Sequence, residues 1–516
     1  MAKMNGQMKP KCIDRCRLIV RGVYFRLFFA GAAALLLSAC LAKRDGYDVP
    51  AVPMAARFKN ANAVDSANAL ALAPKSNQDT TKSATIDENI GFEDWWRSFG
   101  NRELEDLVNR GLANNPDVRM ATIRLAQAKA RADQSKAGLL PSLSLPALAA
   151  RQAPGGTVGS VPVASAGRAA QNAFQGSLKS EWRLDLWGEQ SSLAESANLQ
   201  LWRAVYERDN VQRNIAANIV SSYVEYASLN DRMRLATETE RVLSATLTTM
   251  ERRMELGDAT IGDFEQQKAL VFGLRAAIPG IEQQREDALN SLAFLVGSVP
   301  GALNLSEQGL DAFNLPAVIP GLPSSLLLRR PDVRMAEARL LAADADIDVA
   351  RTRILPPVDL SAQAGYSSNL LAQFFQPKLF FWNAVTSVTA SIFDGGKREG
   401  EKKFNEAVHE EMVENYVRTI YQAMREVEGA LATIRLAGKR LDAQREAADA
   451  ARRAWDINTK VYAMGGADQT TLLESERTYH RYLDEFRRSQ MESYRGYTAL
   501  FLALGGGVKH GEVLPG

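Results

Sequence analysis

Side chains that could carry covalent chemistry are few in this sequence, and they are unevenly placed. All three cysteines lie before residue 41, so the rest of the chain supplies neither a disulfide nor a thiolate metal site. The three histidines are His409, His480 and His510, and none has a second histidine at the spacing of metal ligands. No nucleophile with a plausible histidine base stands out. The sequence therefore predicts neither an enzyme nor a metal site.

Cys40 is the residue whose chemistry the surrounding sequence does predict. A basic leader is followed by the apolar run Leu27–Leu37, which is too short for a permanent membrane helix and indicates an export signal. The run ends in Leu37-Ser38-Ala39-Cys40, which resembles a bacterial lipobox, where the cysteine thiol receives diacylglycerol. We predict covalent diacylglycerol and an N-acyl chain on Cys40 and no other cofactor. An ordinary signal peptide with a chance cysteine is the alternative.

The chain contains one large unit twice. Residues 116–145 and 331–360 align without gaps at a spacing of 215, and fourteen of thirty positions are identical, beginning with Pro-Asp-Val-Arg-Met-Ala in both. Chance does not keep that register over thirty residues, so the pattern indicates an internal duplication.

The charge composition excludes one class of partner. The 62 basic and 60 acidic residues nearly balance, so no charge excess for nucleic-acid binding exists.

Alternation of apolar and polar residues predicts strands of membrane length. Residues 174–186 place Phe174, Leu178 and Trp182 on one face and charged residues on the other. Strands of the second copy are predicted at Val358–Tyr366 and Trp382–Phe393, with exposed loops at Gly155–Gly167 and Ser367–Lys378. Half of a soluble sheet is the alternative. An export signal, a lipid site and the lack of a long apolar run favour barrel strands facing a wet lumen. Four strands per chain cannot close a barrel, so the pattern requires oligomerisation.

Each predicted strand pair is followed by a long helical hairpin. Residues 190–256 contain no Pro or Gly, and a return helix is predicted over about 263–295. The second copy predicts a helix over about 398–464 and a return helix that ends near Leu504. Gly188 and Gly257 recur as Gly396 and Gly465, 208 residues later, so the two hairpins should be equally long. Hairpins of this length form a rod or the wall of a tube.

The predicted boundaries follow from these patterns. They are a signal peptide at 1–39, an acylated tether at 40–91, a first repeat at 92–310, a second repeat at 311–507 and a tail at 508–516.

The sequence resembles the TolC family of outer-membrane efflux proteins, in the lipoprotein branch that serves resistance-nodulation-division pumps. The most specific match is the linker Ile319–Glu337, and Trp95-Trp96, Asp185–Gly188, Arg425–Glu428 and Leu502–Gly506 support it. The resemblance implies a mainly helical fold with a β-barrel part. Duplicated coiled-coil hairpins would form a periplasmic α-barrel, continuous with a trimeric twelve-stranded β-barrel in the outer membrane.

The resemblance also implies partners and a location. A homotrimer would stand in outer-membrane lipids and extend into the periplasm as a passive exit duct for drugs or other small molecules. A periplasmic adaptor and an inner-membrane pump would deliver the cargo.

The hairpin tips match family motifs at which the adaptor docks. These residues are Leu256, Gly257, Asp258, Ala259 and Thr260 in the first copy, and Met464, Gly465, Gly466 and Ala467 in the second. Glycine suits such a tip because it lets the chain reverse and a partner backbone approach closely. The alternative is that these glycines only turn the chain.

Family members narrow the tunnel just beyond the second tip with rings of carboxylates. Glu474 matches one such position, Thr471 occupies another, and Asp263 could add to the same constriction. Three-fold symmetry would turn each acid into a ring that binds cations. Solvated charges on a helix face are the alternative for these residues.

Two other classes of protein remain as alternatives. A periplasmic adaptor is also a secreted lipoprotein, but it should carry a small β-rich segment beside a single hairpin. A lipid-anchored coiled-coil scaffold would fit if the predicted strands were wrong.

Overall fold

The chain folds as two compact units, each built from segments of both copies of the duplication. The computed structural model describes residues 47–52, 92–152, 157–158, 161–162, 171–315 and 329–507. Among the described residues, the sheet unit takes 47–49, 128–152, 157–158, 161–162, 171–200 and 339–413, and the hairpin unit takes 50–52, 92–127, 201–315, 329–338 and 414–507. The predicted signal peptide, Cys40 and residues 319–328 of the linker motif lie outside the described residues.

Helices make up most of the described chain. They are α1 (Arg102–Asn114), α2 (Pro116–Ala137), α3 (Glu189–Glu255), α4 (Ile261–Leu295), α5 (Pro331–Thr352), α6 (Lys397–Ala463) and α7 (Gln469–Ala503), with a 3₁₀ helix at Phe92–Phe99 before them. None of the described helices has the length and apolar character needed to cross a membrane.

The two hairpins have the same dimensions, as their sequence spacing predicts. Both α3 and α6 contain 67 residues, and both α4 and α7 contain 35. At 1.5 Å per residue the long helices extend for about 100 Å. The helix α4 begins at Ile261, two residues before the predicted start, because Thr260 caps it.

The sheet unit contains one antiparallel sheet and a small separate hairpin. The strands are β1 (Ser142–Ser144), β2 (Ala147–Gln152), β3 (Thr157–Val158), β4 (Val161–Pro162), β5 (Gln171–Leu184), β6 (Val358–Ser368) and β7 (Phe380–Val388). Strands β1 and β2 both pair with β5, which pairs with β6, which pairs with β7. The two-residue strands β3 and β4 pair with each other inside the predicted first loop.

Strands β1 and β2 are one strand with a break. Leu143 pairs with Ser180 and Ala147 pairs with Gly176, so the register on β5 is the same on both sides of the break. The break contains Pro146, which has no backbone N–H for the ladder. Its carbonyl oxygen still accepts a hydrogen bond from the Ser177 nitrogen at 3.1 Å. The sheet is therefore four strands wide, as predicted.

The largest disagreement with the predicted strands is at the last strand, whereas the ends of β5 and β6 differ from prediction by at most three residues. The last strand, predicted over Trp382–Phe393, begins at Phe380 and ends at Val388. The apolar side chains that suggested a longer strand are exposed, with Ile392 at 100% and Phe393 at 88% of their maximal areas. Within the described residues β6 pairs with β7 only as far as Val388, because β6 itself begins at Val358. The predicted second loop contains two short 3₁₀ turns, Leu371–Gln373 and Pro377–Leu379.

Aromatic residues at both ends of the described sequence form part of the core of the hairpin unit. The ring of Trp95 is 1% exposed and stacks on the ring of Phe501, with centroids 5.0 Å apart. Tyr494 donates its hydroxyl hydrogen to the carbonyl oxygen of Phe313 at 3.0 Å. The start of the fold near residue 92 is thus bound to the last helix.

Candidate functional site

The two hairpin tips have the same backbone geometry. Gly257 and Gly465, 208 residues apart, have φ angles of +83° and +76°, a region that favours glycine. Gly257 N donates to the Met254 carbonyl at 3.0 Å, and Gly465 N donates to the Tyr462 carbonyl at 2.9 Å. The glycines therefore end the long helices and reverse the chain.

Helix capping fixes the residues that follow each turn. The Thr260 hydroxyl accepts from the Asp263 nitrogen at 3.1 Å, and the Asp263 carboxylate accepts from the Thr260 nitrogen at 3.2 Å, which is a capping box. At the equivalent place in the second copy, Asp468 Oδ1 accepts from the Thr471 nitrogen at 2.7 Å. Hydrogen bonds to Thr471 hold the pKa of Asp468 below its usual value.

The tips expose apolar side chains beside the glycines. Leu256 is 79% exposed and Met464 is 77% exposed. Asp258 and Gly466 are also exposed, whereas Ala259 and Ala467 are half-buried. An added Cβ at Gly257 or Gly465 would meet no atom within 4 Å, so the surface above each turn is open. Such a surface can accept a partner backbone.

The predicted constriction residues occupy different local environments. Glu474 has a side chain 66% exposed, and its carboxylate lies 3.6 Å from Arg477. Thr471 is exposed, and Asp263 is half-buried and engaged in the capping box. Asp263 and Thr471 are equivalent under the 208-residue spacing. Among the described residues no hydrogen bond or ion pair joins Asp263 to Glu474, so a ring containing both would have to form without direct contact in one chain.

Two titratable groups near the second tip, the buried Glu476 and the half-buried His480, were not predicted from the sequence. Glu476 is 3% exposed, and burial raises the pKa of its carboxyl group to about 7. His480, one turn further along α7, has a Thr239 hydroxyl 3.1 Å from Nδ1, and burial lowers its pKa to about 4. The signal that could have found them is a Glu and a His at the spacing of the buried positions Leu472 and Leu473.

Polar amides surround this level of the hairpin unit. Gln267 is fully buried and donates from Nε2 to the Leu243 carbonyl at 3.1 Å. Gln469 is 6% exposed, and neither of its side-chain polar atoms has a hydrogen-bond partner among the described residues. A buried amide without partners is costly to stability.

Polar contacts also join the helices of the two copies within the hairpin unit. Arg253 at the end of α3 donates to the Tyr462 hydroxyl on α6 at 2.6 Å, and its guanidinium lies 5.4 Å from the ring centroid. Arg232 on α3 donates to Asp484 on α7 at 2.6 Å. Near the tips α3 is therefore held to α6 by a side-chain contact, and further from the tips α3 is held to α7 by an ion pair. No group of three or more potential metal ligands occurs in the part of the chain that the structure describes.

Comparison with known proteins identifies the family. The model of the family described as outer membrane efflux protein matches residues 107–298 and 322–506, one match in each copy of the duplication. The chain belongs to this family, and the predicted TolC-family resemblance is confirmed.

Named relatives share most of their length with this chain. The pyoverdine export outer membrane protein OpmQ of Pseudomonas aeruginosa is 33% identical over 414 residues, which cover 80% of this chain and 87% of that protein. The probable outer membrane lipoprotein SilC of Salmonella typhimurium is 26% identical over 479 residues, 92% of this chain and 96% of SilC. The cation efflux system protein CusC of Escherichia coli K12 is 26% identical over 478 residues, 92% of this chain and 98% of CusC.

A solved structure shows the same fold. The outer-membrane channel OprN superposes with a TM-score of 0.78 at 24% identity, covering 90% of this chain and 99% of OprN. The predicted class, mainly helical with a β-barrel part, is confirmed. Family membership makes the chain an outer-membrane efflux channel and not an enzyme, and it confirms the predicted location. It also favours the channel over the adaptor or scaffold alternative.

Proposed function

We propose that the chain forms a homotrimer whose four strands per chain make one twelve-stranded barrel in the outer membrane. The two hairpins of each chain would line a passive duct that continues into the periplasm. A periplasmic adaptor and an inner-membrane resistance-nodulation-division pump would load the duct, and the pump would supply the energy.

The observation that supports this proposal is the width of the sheet. Four strand positions are too few for a barrel, because about eight strands are the smallest number that closes. Among the described strands, β7 pairs only with β6, and the broken strand β1–β2 pairs only with β5. Both outer edges therefore need partners from other chains, since unpaired backbone groups are not tolerated in lipid.

The duct itself does not choose the cargo. Relatives of similar length carry names that refer to pyoverdine export and to cation efflux, two chemically different cargoes. The exported compound would then be selected by the pump, and the channel would accept drugs or other small molecules. We also propose the domain boundaries predicted from the sequence, including the acylated tether at 40–91.

The tips and the nearby carboxylates have separate roles in the proposal. Leu256–Thr260 and Met464–Ala467 would receive helical hairpins of the adaptor, because they combine exposed apolar side chains with open glycine turns. Glu474 would line the narrowest part of the duct, with Thr471 and Asp263 in support. Diacylglycerol and an N-acyl chain on Cys40 would anchor the mature chain, a role that the name of SilC supports.

The proposal is tested on the full chain expressed in a bacterium and extracted in mild detergent. Light scattering should give the mass of three chains, and unheated samples should migrate as a trimer that heat converts to monomer. Intact mass spectrometry should place the acylated cysteine at the first position of the mature chain. A monomer in mild detergent at all concentrations would rule out the barrel, and an unmodified Cys40 would rule out the anchor alone.

A further inference from the structure

Each of the two outer edges of the sheet lacks a paired strand among the described residues. The free edge of β7 and the free edge of β1–β2 lie at opposite sides of the sheet unit. Their backbone groups are in position to pair with another strand, and the proposed trimer requires such pairing. What remains to be assigned is the register of that junction.

The duplication relates the two strand pairs inside one chain by fixed spacings. Leu143 pairs with Ser180 in the first copy. Adding 215 to the number of Leu143 gives Val358, and adding 208 to the number of Ser180 gives Val388. Val358 and Val388 are paired in the structure. The spacings found in the sequence thus hold for the strand registers as well.

The chain contains one junction between the second strand of one copy of the duplication and the first strand of the other copy. This is the pairing of β5 with β6, in which Leu178 faces Ala364 and Leu184 faces Val358. The duplication leaves one equivalent junction open, from β7 to the β1–β2 strand of another copy.

We infer that β7 pairs antiparallel with β1–β2 of the next copy of this chain in the register of the β5–β6 junction. Adding 208 to the β5 residue and subtracting 215 from the β6 residue converts the pair Leu178–Ala364 into Thr386 opposite Ala149 of the next copy. The same operation places Val388 opposite Ala147. Beyond the end of β7, Ile392 comes opposite Leu143. The inference rests on the proposed trimer, and it adds the residues that meet at each of its junctions.

Exposure of the side chains supports this register. Ile392 is 100% exposed and Leu143 is 67% exposed in the single chain. The register brings these two large apolar side chains together, as Leu184 is brought to Val358 within the chain. It also accounts for the strand boundary, because residues 389–392 can extend β7 only when a neighbouring strand pairs with them.

The faces of the sheet give an independent check. Side chains alternate along a strand, so a slip of one residue moves all of them to the other face. Val388 is 59% exposed and Leu145 is 78% exposed. In the inferred register these residues share a face with Leu178 and Trp182, the predicted lipid face of β5. A slip of one residue between β7 and the β1–β2 strand would match the face of Val388 with the face of Ser144 in place of that of Leu145.

Cysteine pairs test the register directly. Residues directly opposite on antiparallel strands have Cα atoms about 4.5–5.5 Å apart, which lies within the range that a disulfide spans. The double variant Thr386→Cys with Ala149→Cys, oxidised in the outer membrane as the full acylated chain, should give covalent dimers and trimers on a non-reducing gel. Each single variant should give none. The matched control Thr386→Cys with Ala150→Cys carries its second thiol on the opposite face and should not link.

The outcomes separate the register from the trimer. Linking in the Ala149 pair together with its absence in the Ala150 pair supports the register. A trimer by mass that links through Ala150, or that fails to link through Ala149, overturns the register and leaves the duct intact. A monomer by mass overturns both.

Discussion

The Asn115 side chain donates a hydrogen bond from Nδ2 to the carbonyl oxygen of Leu295, at 2.9 Å, and binds the end of α4 to the start of α2. The second copy makes the same connection with a different side chain. Arg330 donates from Nη1 to the carbonyl oxygen of Ala503 at 2.7 Å, at the end of α7 and the start of α5. Asn115 and Arg330 are 215 residues apart, and Leu295 and Ala503 are 208 apart. The duplication therefore preserved the contact while it changed the chemistry.

Replacing Arg330 should be among the most damaging single changes in the hairpin unit. Its side chain is 2% exposed and lies 2.6 Å from both Asp332 and Glu426. Arg330→Ala leaves the Ala503 carbonyl without its donor and the partly exposed carboxylates of Asp332 and Glu426 without their counter-ion, so it should lower the free energy of unfolding by about 1.5–3 kcal/mol. Denaturant unfolding followed by circular dichroism measures the change. Arg440→Ala removes an exposed pair with Glu492 and should cost at most about 1 kcal/mol. Equal costs for the two variants would contradict the role of Arg330.

Glu476 and His480 should oppose each other in the pH dependence of local stability. Below pH 4.5 the contribution of Glu476 is complete, and it is lost as the pH rises through the folded-state pKa of about 7. His480 contributes fully above pH 6.5, and that contribution is lost as the pH falls toward its folded-state pKa of about 4. Between pH 4.5 and 6.5 the two slopes cancel.

Single substitutions should therefore expose opposite slopes that the native protein hides. With Glu476→Gln, the opening free energy of α7 should fall as the pH drops from 6.5, by up to about 1.4 kcal/mol per pH unit. With His480→Gln, it should fall as the pH rises from 4.5. Amide hydrogen exchange in α7, corrected for the intrinsic pH effect, measures both. Slopes of the same sign in the two variants would refute the opposing effects of Glu476 and His480.

Glycine substitutions should have opposite signs at the tip and inside α4. Gly257 has a φ of +83°, so Gly257→Ala should destabilise the first tip by about 1–2 kcal/mol, although the site has room for a methyl group. Gly273 lies inside α4 with nothing within 4 Å, and Gly273→Ala should stabilise by about 0.5–1 kcal/mol. Thermal unfolding gives the order of the three proteins. A stabilising Gly257→Ala would show that the turn conformation is wrong.

Charged substitutions at the tips should uncouple the channel from the proposed periplasmic adaptor. Leu256→Asp and Met464→Asp place a carboxylate on apolar surface that is 79% and 77% exposed, so folding should be unaffected while adaptor docking is lost. Copurification of the adaptor and cellular efflux are the measurements. Leu436→Asp is the control, because Leu436 is 55% exposed on α6 and distant in sequence from the tip. Normal copurification with both tip variants would remove these residues from the docking surface.

Glu474→Ala should raise single-channel conductance and weaken cation selectivity. The change removes the proposed ring of carboxylates and leaves Arg477, whose guanidinium lies 3.6 Å from the Glu474 carboxylate, without its counter-ion. Glu492→Ala also breaks an exposed ion pair on α7, yet it lies about 27 Å further along the helix and should leave both properties unchanged. Native conductance and selectivity in Glu474→Ala would exclude Glu474 from the constriction.

Long-range regularities made much of the fold predictable from the sequence. The absence of Pro and Gly over 190–256 and the repeated spacing of 208 predict both hairpins to within about two residues. The alternation in β5 is visible because Trp182 and Leu178 share a face over a long run. Features that depend on one local contact were less accessible. The break at Pro146 does not change the register, so only the ladder itself reveals it.

Properties set by burial were the hardest to predict. Glu476 looks like a solvated helix charge in the sequence, and its helical spacing from Leu472 and Leu473 indicates burial only once these two leucines are known to face the core. Arg330 lies within a conspicuous motif, but its bond to Ala503 spans 173 residues. The end of β7 was predicted wrongly for a different reason: Ile392 lies on the same face of the strand pattern as Val388, but among the described residues no strand pairs with residues 389–392.

Single-channel recording in a planar bilayer tests the central claim most directly. The purified acylated trimer, added alone to one side, should produce discrete steps of ion conductance without adaptor, pump or energy source, because the duct is proposed to be passive. Protein of trimeric mass that inserts into the bilayer and remains electrically silent at all applied voltages would contradict a water-filled passage through the three chains.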